Sequence, residues 1–228
     1  MIYNKKEFYT GASLLVVFFV VLFMMFQPIY HGHNGMQFLD NLYNSISKGS
    51  INYSGQLKAD MAEFDGKAID VTMNYGSEAQ AAQSAEIFVK AGAQATAEGK
   101  ALHLTGSLGT ILKGSLDDAQ VMYDNNGDVI QSKYGIEPRR VLFNWWTSFK
   151  LMNKALSNQK EFAAAKAVDT VQTKAVEASY NYFGVEAQSI TDDIGLVIFS
   201  LVFYVLYTLW YGFAILFVFE GWGLKLSH

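Results

Sequence analysis

His31 and His33, in the stretch YHGHNG, carry the ring nitrogens best suited in this chain to hold a metal ion or a haem. With a glycine between them, both imidazoles can turn toward one centre, or His31 toward a quinone headgroup. Two ligands are an incomplete set, because a zinc site wants a third or fourth donor. The pair is therefore read as a polar turn, and no metal or cofactor is expected. Asp124, Asn126 and Asp128 in YDNNGDVI reproduce the first ligand spacings of a calcium loop. The glycine of such a loop falls at 129, where valine stands, and its bidentate acid at 135, where glycine stands. A helix end or an Asn-Gly turn accounts for the same residues. His103, between Leu102 and Leu104 in an alternating stretch, faces away from both and toward solvent.

The densest cluster of cations and aromatics is Arg139 and Arg140 with Trp145 and Trp146. Arg and Trp are favoured interface anchors, so docking onto a partner subunit or onto phospholipid headgroups is expected here. Adjacent helical residues point about 100° apart, so the two tryptophans cannot both face a core. Tyr204, Tyr207 and Tyr211 recur at i, i+3 and i+7 and share one helix face. That face anchors at a membrane interface, packs on lipid or a neighbouring helix, or meets another membrane subunit or a quinone. These seven residues form the expected partner-binding set.

No catalytic arrangement is legible. The chain has no cysteine, which excludes disulfides, Cys-ligated iron–sulfur clusters, thiolate zinc sites and covalently held haem. GSLG at Gly106–Gly109 lacks a phosphate-loop or dinucleotide pattern, and no G-x-S-x-G or H-E-x-x-H sequence occurs. The adjacent acids Asp117–Asp118 and Asp192–Asp193 read as solvated helix edges. Asn52-Tyr53-Ser54 is a glycosylation sequon that matters only in a host that glycosylates this compartment. The chain is not expected to be an enzyme.

The elements that position these residues follow from an uneven distribution of apolar side chains. Of 228 residues, 51% are hydrophobic and 17% charged, with 17 Lys and Arg against 21 Asp and Glu and a net charge of −4. The apolar residues gather at the two ends. Residues 8–30 carry no formal charge and include the run LLVVFFVVLFMMF, and residues 194–219 form a second uncharged stretch. About 20 apolar residues cross a hydrocarbon core of roughly 30 Å, so both are expected to be transmembrane helices. The first is read as an uncleaved anchor, because Gln27 to His31 offers no small-x-small cleavage site. Lys5 and Lys6 precede the first span and Lys225 follows the second, whereas the inner flanks carry Asp192 and Asp193. The positive-inside tendency then makes residues 1–7 and 220–228 cytoplasmic and residues 31–193 extracytoplasmic, in the inner (plasma) membrane. Removing Lys5, Lys6, Lys225, Glu7 and Glu220 leaves 14 basic and 19 acidic residues in 31–193, a balance unsuited to nucleic acid.

Between the spans, the spacing predicts an α+β domain. Residues 36–47 read as a short helix, and Ala68 to Asn74 as a half-buried strand. Ser77 caps a helix closed by Gly92, a hairpin turns at Glu98-Gly99, and Gly106-Ser107 introduce a helix over 108–123. The order β-α-β-β-α implies a small sheet covered by helices on one face. Pro138 then opens a helix over 138–157, and 160–183 forms a second, the two making an antiparallel hairpin. Ala163, Ala167, Val171, Ala175 and Ser179 recur every four residues along the second helix, a stripe that lets helices approach closely. The function expected is that of a non-catalytic accessory or structural subunit of an inner-membrane complex, bound to the bilayer and to a membrane-protein partner. A ligand-binding or sensing domain that signals to a separate membrane partner is the alternative.

Overall fold

The computed structural model describes residues 2–29 and 32–224. The chain is a mostly helical α+β protein with one three-stranded antiparallel sheet and two long apolar helices near its ends. It divides into two compact units, Met1–Ser50 with Glu186–His228, and Ile51–Val185.

In the Ile51–Val185 unit, α3 (Ser54–Asp60) runs into a single 3-10 turn, Met61–Phe64, and the pair seats Leu57, Met61 and Phe64 in the core. Strand β1 (Ala68–Asn74) buries Ile69, Val71 and Met73 and exposes Asp70, Thr72 and Asn74, as period-two alternation requires. The Ser77 hydroxyl caps α4 (Glu78–Lys90) by accepting from the Gln80 N–H at 3.3 Å. Strand β2 (Gln94–Glu98) turns through Gly99 and Lys100 into β3 (Ala101–Ser107). The order is β1-β3-β2, with Leu104 of β3 opposite both Val71 and Ala95. Both outer strands are antiparallel to β3 and so parallel to each other, and α4 is the crossover that joins them. Helix α5 (Leu108–Tyr123) lays Leu108, Ile111, Leu112, Leu116, Ala119 and Met122 into the core. The opposite sheet face is polar and open, and there His103 Nε2 meets Asp70 Oδ1 at 2.8 Å.

The sequence YDNNGDVI forms the join between α5 and α6 (Gly127–Tyr134), where Asp124 caps α5 and both its carboxylate oxygens accept from Gln120 Nε2 at 2.9 Å. The Glu137 carboxylate caps α7 (Pro138–Asn158), accepting from the Arg139 and Arg140 N–H groups at 3.0 and 2.7 Å. After a turn at Gln159–Glu161 the chain returns against α7 as α8 (Phe162–Val171), a π-helical segment Gln172–Glu177, and α9 (Ala178–Tyr182), without a break. The predicted second helix is thus present with six of its residues wound wider than an α-helix. The four-residue repeat explains this. A stripe at spacing four drifts about 40° per step around an α-helix, and a π turn absorbs an extra residue. Ala167, Val171, Ala175 and Ser179 all stay buried as a result, whereas Ala163 is exposed.

The other unit contains α1 (Lys5–Met25), α2 (Gly35–Ser50) and α10 (Ile194–Trp222). The predicted helix over 36–47 therefore groups with the two terminal helices and not with the sheet. Asn4 Oδ1 caps α1, accepting from the N–H groups of Lys6 and Glu7, and the Tyr3 and Asn4 N–H groups donate to Gly221 O at 2.9 Å. Helices α1 and α10 lie side by side at backbone contact. A Cβ on Gly11 would stand 2.7 Å from Ala214 O and 2.6 Å from Val218 N, and a Cβ on Gly221 would strike the backbone of Phe8. Only 11% and 6% of the residues in the most apolar windows of α1 and α10 are buried, so neither is the core helix of a globular unit. Each has the length and composition to cross a bilayer.

A side chain at Gly11 must push the two backbones apart. Gly11→Leu is expected to destabilise the α1–α10 pair by about 1–3 kcal/mol, the usual cost of overpacking a tight contact. Unfolding of the purified full chain in mild detergent measures this, with Gly212→Leu, at a position that has open space around it, as the tolerated control.

Candidate functional site

Helix α7 separates the two tryptophans. Trp145 is 0% exposed and Trp146 is half-buried on the surface. The Trp145 ring meets Phe88 edge-on at 5.1 Å and Phe149 at 5.4 Å, so it belongs to the core and leaves the expected docking set. Its indole N–H donates to Asp118 Oδ2 at 2.9 Å.

Trp146 lines a cleft of about 270 Å³ with Phe143, Glu177, Tyr180 and Asn181, between α7 and the end of the π segment with α9. Its indole N–H donates to Glu177 Oε2 at 3.1 Å, and Phe143 stacks beside it with centroids 6.3 Å apart. Each ring carries one of the chain's own cations. The Arg140 guanidinium lies 5.4 Å from the Phe143 centroid, Lys150 Nζ 5.2 Å from that of Trp146, and Arg139 5.9 Å from that of Tyr180. Arg139 also donates to Phe183 O at 3.0 Å, and Arg140 Nε to Gln83 Oε1 at 3.2 Å. The result is an aromatic floor with a cationic rim and one carboxylate already accepting a hydrogen bond. Among the described residues that line it, Glu177 and Tyr180 are the titratable ones.

Asp118 is the residue that sequence reasoning placed in the wrong environment. Its neighbour Asp117 is the expected solvated acid, paired with Lys58 at 2.6 Å. Asp118 is 1% exposed, and its Oδ1 accepts from Lys133 Nζ at 2.7 Å while its Oδ2 accepts from the Tyr134 hydroxyl at 2.6 Å as well as from Trp145. The signal was available, since Asp118 lies three residues after Ser115 and seven after Ile111 on the buried face of α5. Burial pushes the Tyr134 phenol well above its usual range, and the Asp118 carboxylate beside it adds to the shift. With three donors on its two oxygens, Asp118 is a structural tie between α5, α6 and α7.

In the terminal unit, Tyr207 stacks on Phe18 of α1 at 4.3 Å and Tyr211 meets the same ring at 5.1 Å. These two rings pack against a helix of this chain, whereas Tyr204 is 66% exposed. His33 is exposed, and His31 lies outside the described residues. Among the described residues no three His, Asp or Glu side chains are grouped to hold a metal ion.

Replacing Asp118 by Asn withdraws the charge from three donors. Lys133 is partly solvated and loses less than a buried cation would, so the expected cost is about 2–3 kcal/mol, read from denaturant unfolding. The same unfolding followed with pH gives a second sign. The Tyr134 phenol holds its proton more tightly when folded, so its contribution is complete below about pH 10 and declines above it. Tyr134→Phe should make that alkaline decline shallower.

Compared with known proteins, the chain matches no family model, no curated protein and no solved structure.

Proposed function

We propose that the chain is a non-catalytic accessory subunit of an inner-membrane complex. Helices α1 and α10 cross the bilayer with both termini cytoplasmic, and the sheet-bearing unit stands outside as a docking domain. The observation that carries this reading is the cleft around Trp146, an exposed aromatic surface with its cations already in place. Arg139, Arg140 and Lys150 on the rim favour a partner segment that combines apolar or aromatic side chains with acids. The uncovered apolar surfaces of α1 and α10 support the membrane half, because surfaces of that size are not left in water. Arg139, Arg140 and Trp146 remain in the partner-binding set, and Tyr204 and Tyr211, 66% and 44% exposed, are the tyrosines left to meet lipid or a neighbouring subunit.

A second reading, a sensor of a small ligand, is favoured by one observation. Glu177, the last residue of the π segment, supplies the cleft's carboxylate, and π segments often mark functional positions. A ligand that displaced the Trp146–Glu177 hydrogen bond would act on the helix that leads toward α10. Stabilisation of the chain by a small molecule, abolished in Glu177→Gln, would favour this reading over docking.

The absence of cysteine makes topology directly measurable. A single cysteine at Thr96 should react with a membrane-impermeant maleimide on intact cells, and one at Asn4 only after permeabilisation. The reverse pattern would invert the proposed orientation. Pull-down of the full chain from its native membrane should recover a stoichiometric partner, and Trp146→Ala with Lys150→Glu should reduce that recovery at least tenfold without loss of helical signal. Recovery of the chain alone would overturn the docking role.

A further inference from the structure

The terminal unit contains a cleft of its own, about 340 Å³ in volume, formed by the end of α1, the start of α2 and the first half of α10. Met25 and Ile29 supply one wall, Leu39 another, and Phe199 and Phe203 a third. Among the described residues that line it, none is titratable. The only hydroxyl among the described lining residues, that of Ser200, donates to Val197 O at 2.8 Å and lies 2.5 Å from the Tyr43 hydroxyl. It has no hydrogen left to offer an occupant.

Helix α2 forms the rim. Met36, Leu39, Tyr43 and Ile46 lie along one side and Gln37, Asp40, Asn41 and Asn44 along the other, a pattern suited to lying along a membrane surface. Its first turn is closed by a reciprocal cap. Gln37 N–H donates to Asn34 Oδ1 at 2.8 Å, and Asn34 N–H donates to Gln37 Oε1 at 3.1 Å. The Asn34 and Gln37 N–H groups at this end of the cleft are thus satisfied within the chain. Further along, Tyr43 reaches Ser200, and Gln188 N–H donates to Ser45 O at 3.1 Å, which holds α2 against α10 and its approach.

We infer that this cleft binds one acyl chain of a membrane lipid. The inference rests on the reading that α1 and α10 cross a bilayer. A hydrocarbon chain asks for no hydrogen bond and meets only methyl, methylene, thioether and aromatic surface. A quinone headgroup would bring carbonyl oxygens that need donors, and among the described lining residues no side chain has one free for them. Two of the three helices that form the cleft, α1 and α10, carry uncovered apolar surfaces, and on the membrane reading acyl chains are their surrounding solvent.

The test uses the full chain purified from its native membrane in mild detergent and examined by native mass spectrometry. One phospholipid per chain should survive detergent exchange. Leu39→Trp, which fills the cleft, should reduce the lipid-bound fraction at least tenfold, and Val205→Trp on the exposed face of α10 should leave it unchanged. A phosphatidylcholine with a diazirine on one acyl chain should crosslink the wild-type chain at peptides containing Leu39, Phe199 or Phe203, which gives a result even if a variant fails to fold. Equal loss in both variants, or crosslinks spread evenly along α1 and α10, would reduce the lipid to a general coat and overturn the inference. Retention of a quinone in place of a phospholipid would also overturn it. Release of the chain from membranes by alkaline carbonate would bring down the membrane reading itself. A chain that stays in the membrane but keeps no lipid would bring down only the cleft.

Discussion

The sheet-bearing unit is organised around one buried carboxylate. Asp118 draws three donors onto two oxygens, and they come from two helices: Lys133 and Tyr134 from α6, and Trp145 from α7. An ionised group is tolerable in a core only when its charge is answered locally, so these helices cannot slide without leaving it unpaired. Trp145 is fixed inward by this bond and by its edge-on contact with Phe88. Its neighbour, about 100° further round α7, must then face out. The aromatic surface around Trp146 is in this sense set by an interior acid that lies in the core and not in the cleft.

The terminal unit is held by a different force. Between two apolar helices in a bilayer, burial gains little, since lipid is as apolar as the partner, and close backbone contact becomes the main attraction. Gly11, Ala214 and Gly221 allow that contact. Phe18 fills the middle of the pair beneath Tyr207 and Tyr211. The contact leaves the Tyr207 hydroxyl and the Trp210 indole N–H shielded without hydrogen-bond partners. Packing of the rings outweighs the loss of those two bonds.

Where a segment had one dominant period, its structure was legible in advance. Strand β1 matches its alternation residue for residue, and α4 and α5 begin at the serines that introduce them. The short α3 and its 3-10 turn were not read, because seven residues and one turn give no period to count. The π segment was half-visible. The repeat of four is visible in the sequence as a small-residue stripe, and its mismatch with 3.6 residues per turn is what the wider winding accommodates. Trp145 and Trp146 could be assigned to opposite environments, but not which to which, since that depends on Asp118, 27 residues away in sequence. The aromatic cleft depends on pairing α7 with the π segment and α9, a tertiary fact that neither segment states alone.

The wider winding at Gln172–Glu177 has a genetic consequence. Deleting one codon there would restore an ordinary α-helix and carry Tyr180 and Asn181 about 100° round the axis, away from Trp146 and Phe143. The helix and the hairpin would survive, while the aromatic cleft would be dismantled and Ser179 would turn out of the core. Length variation at this position would therefore separate chains that keep the aromatic cleft from chains that keep only the fold, a distinction that residue-by-residue similarity would miss.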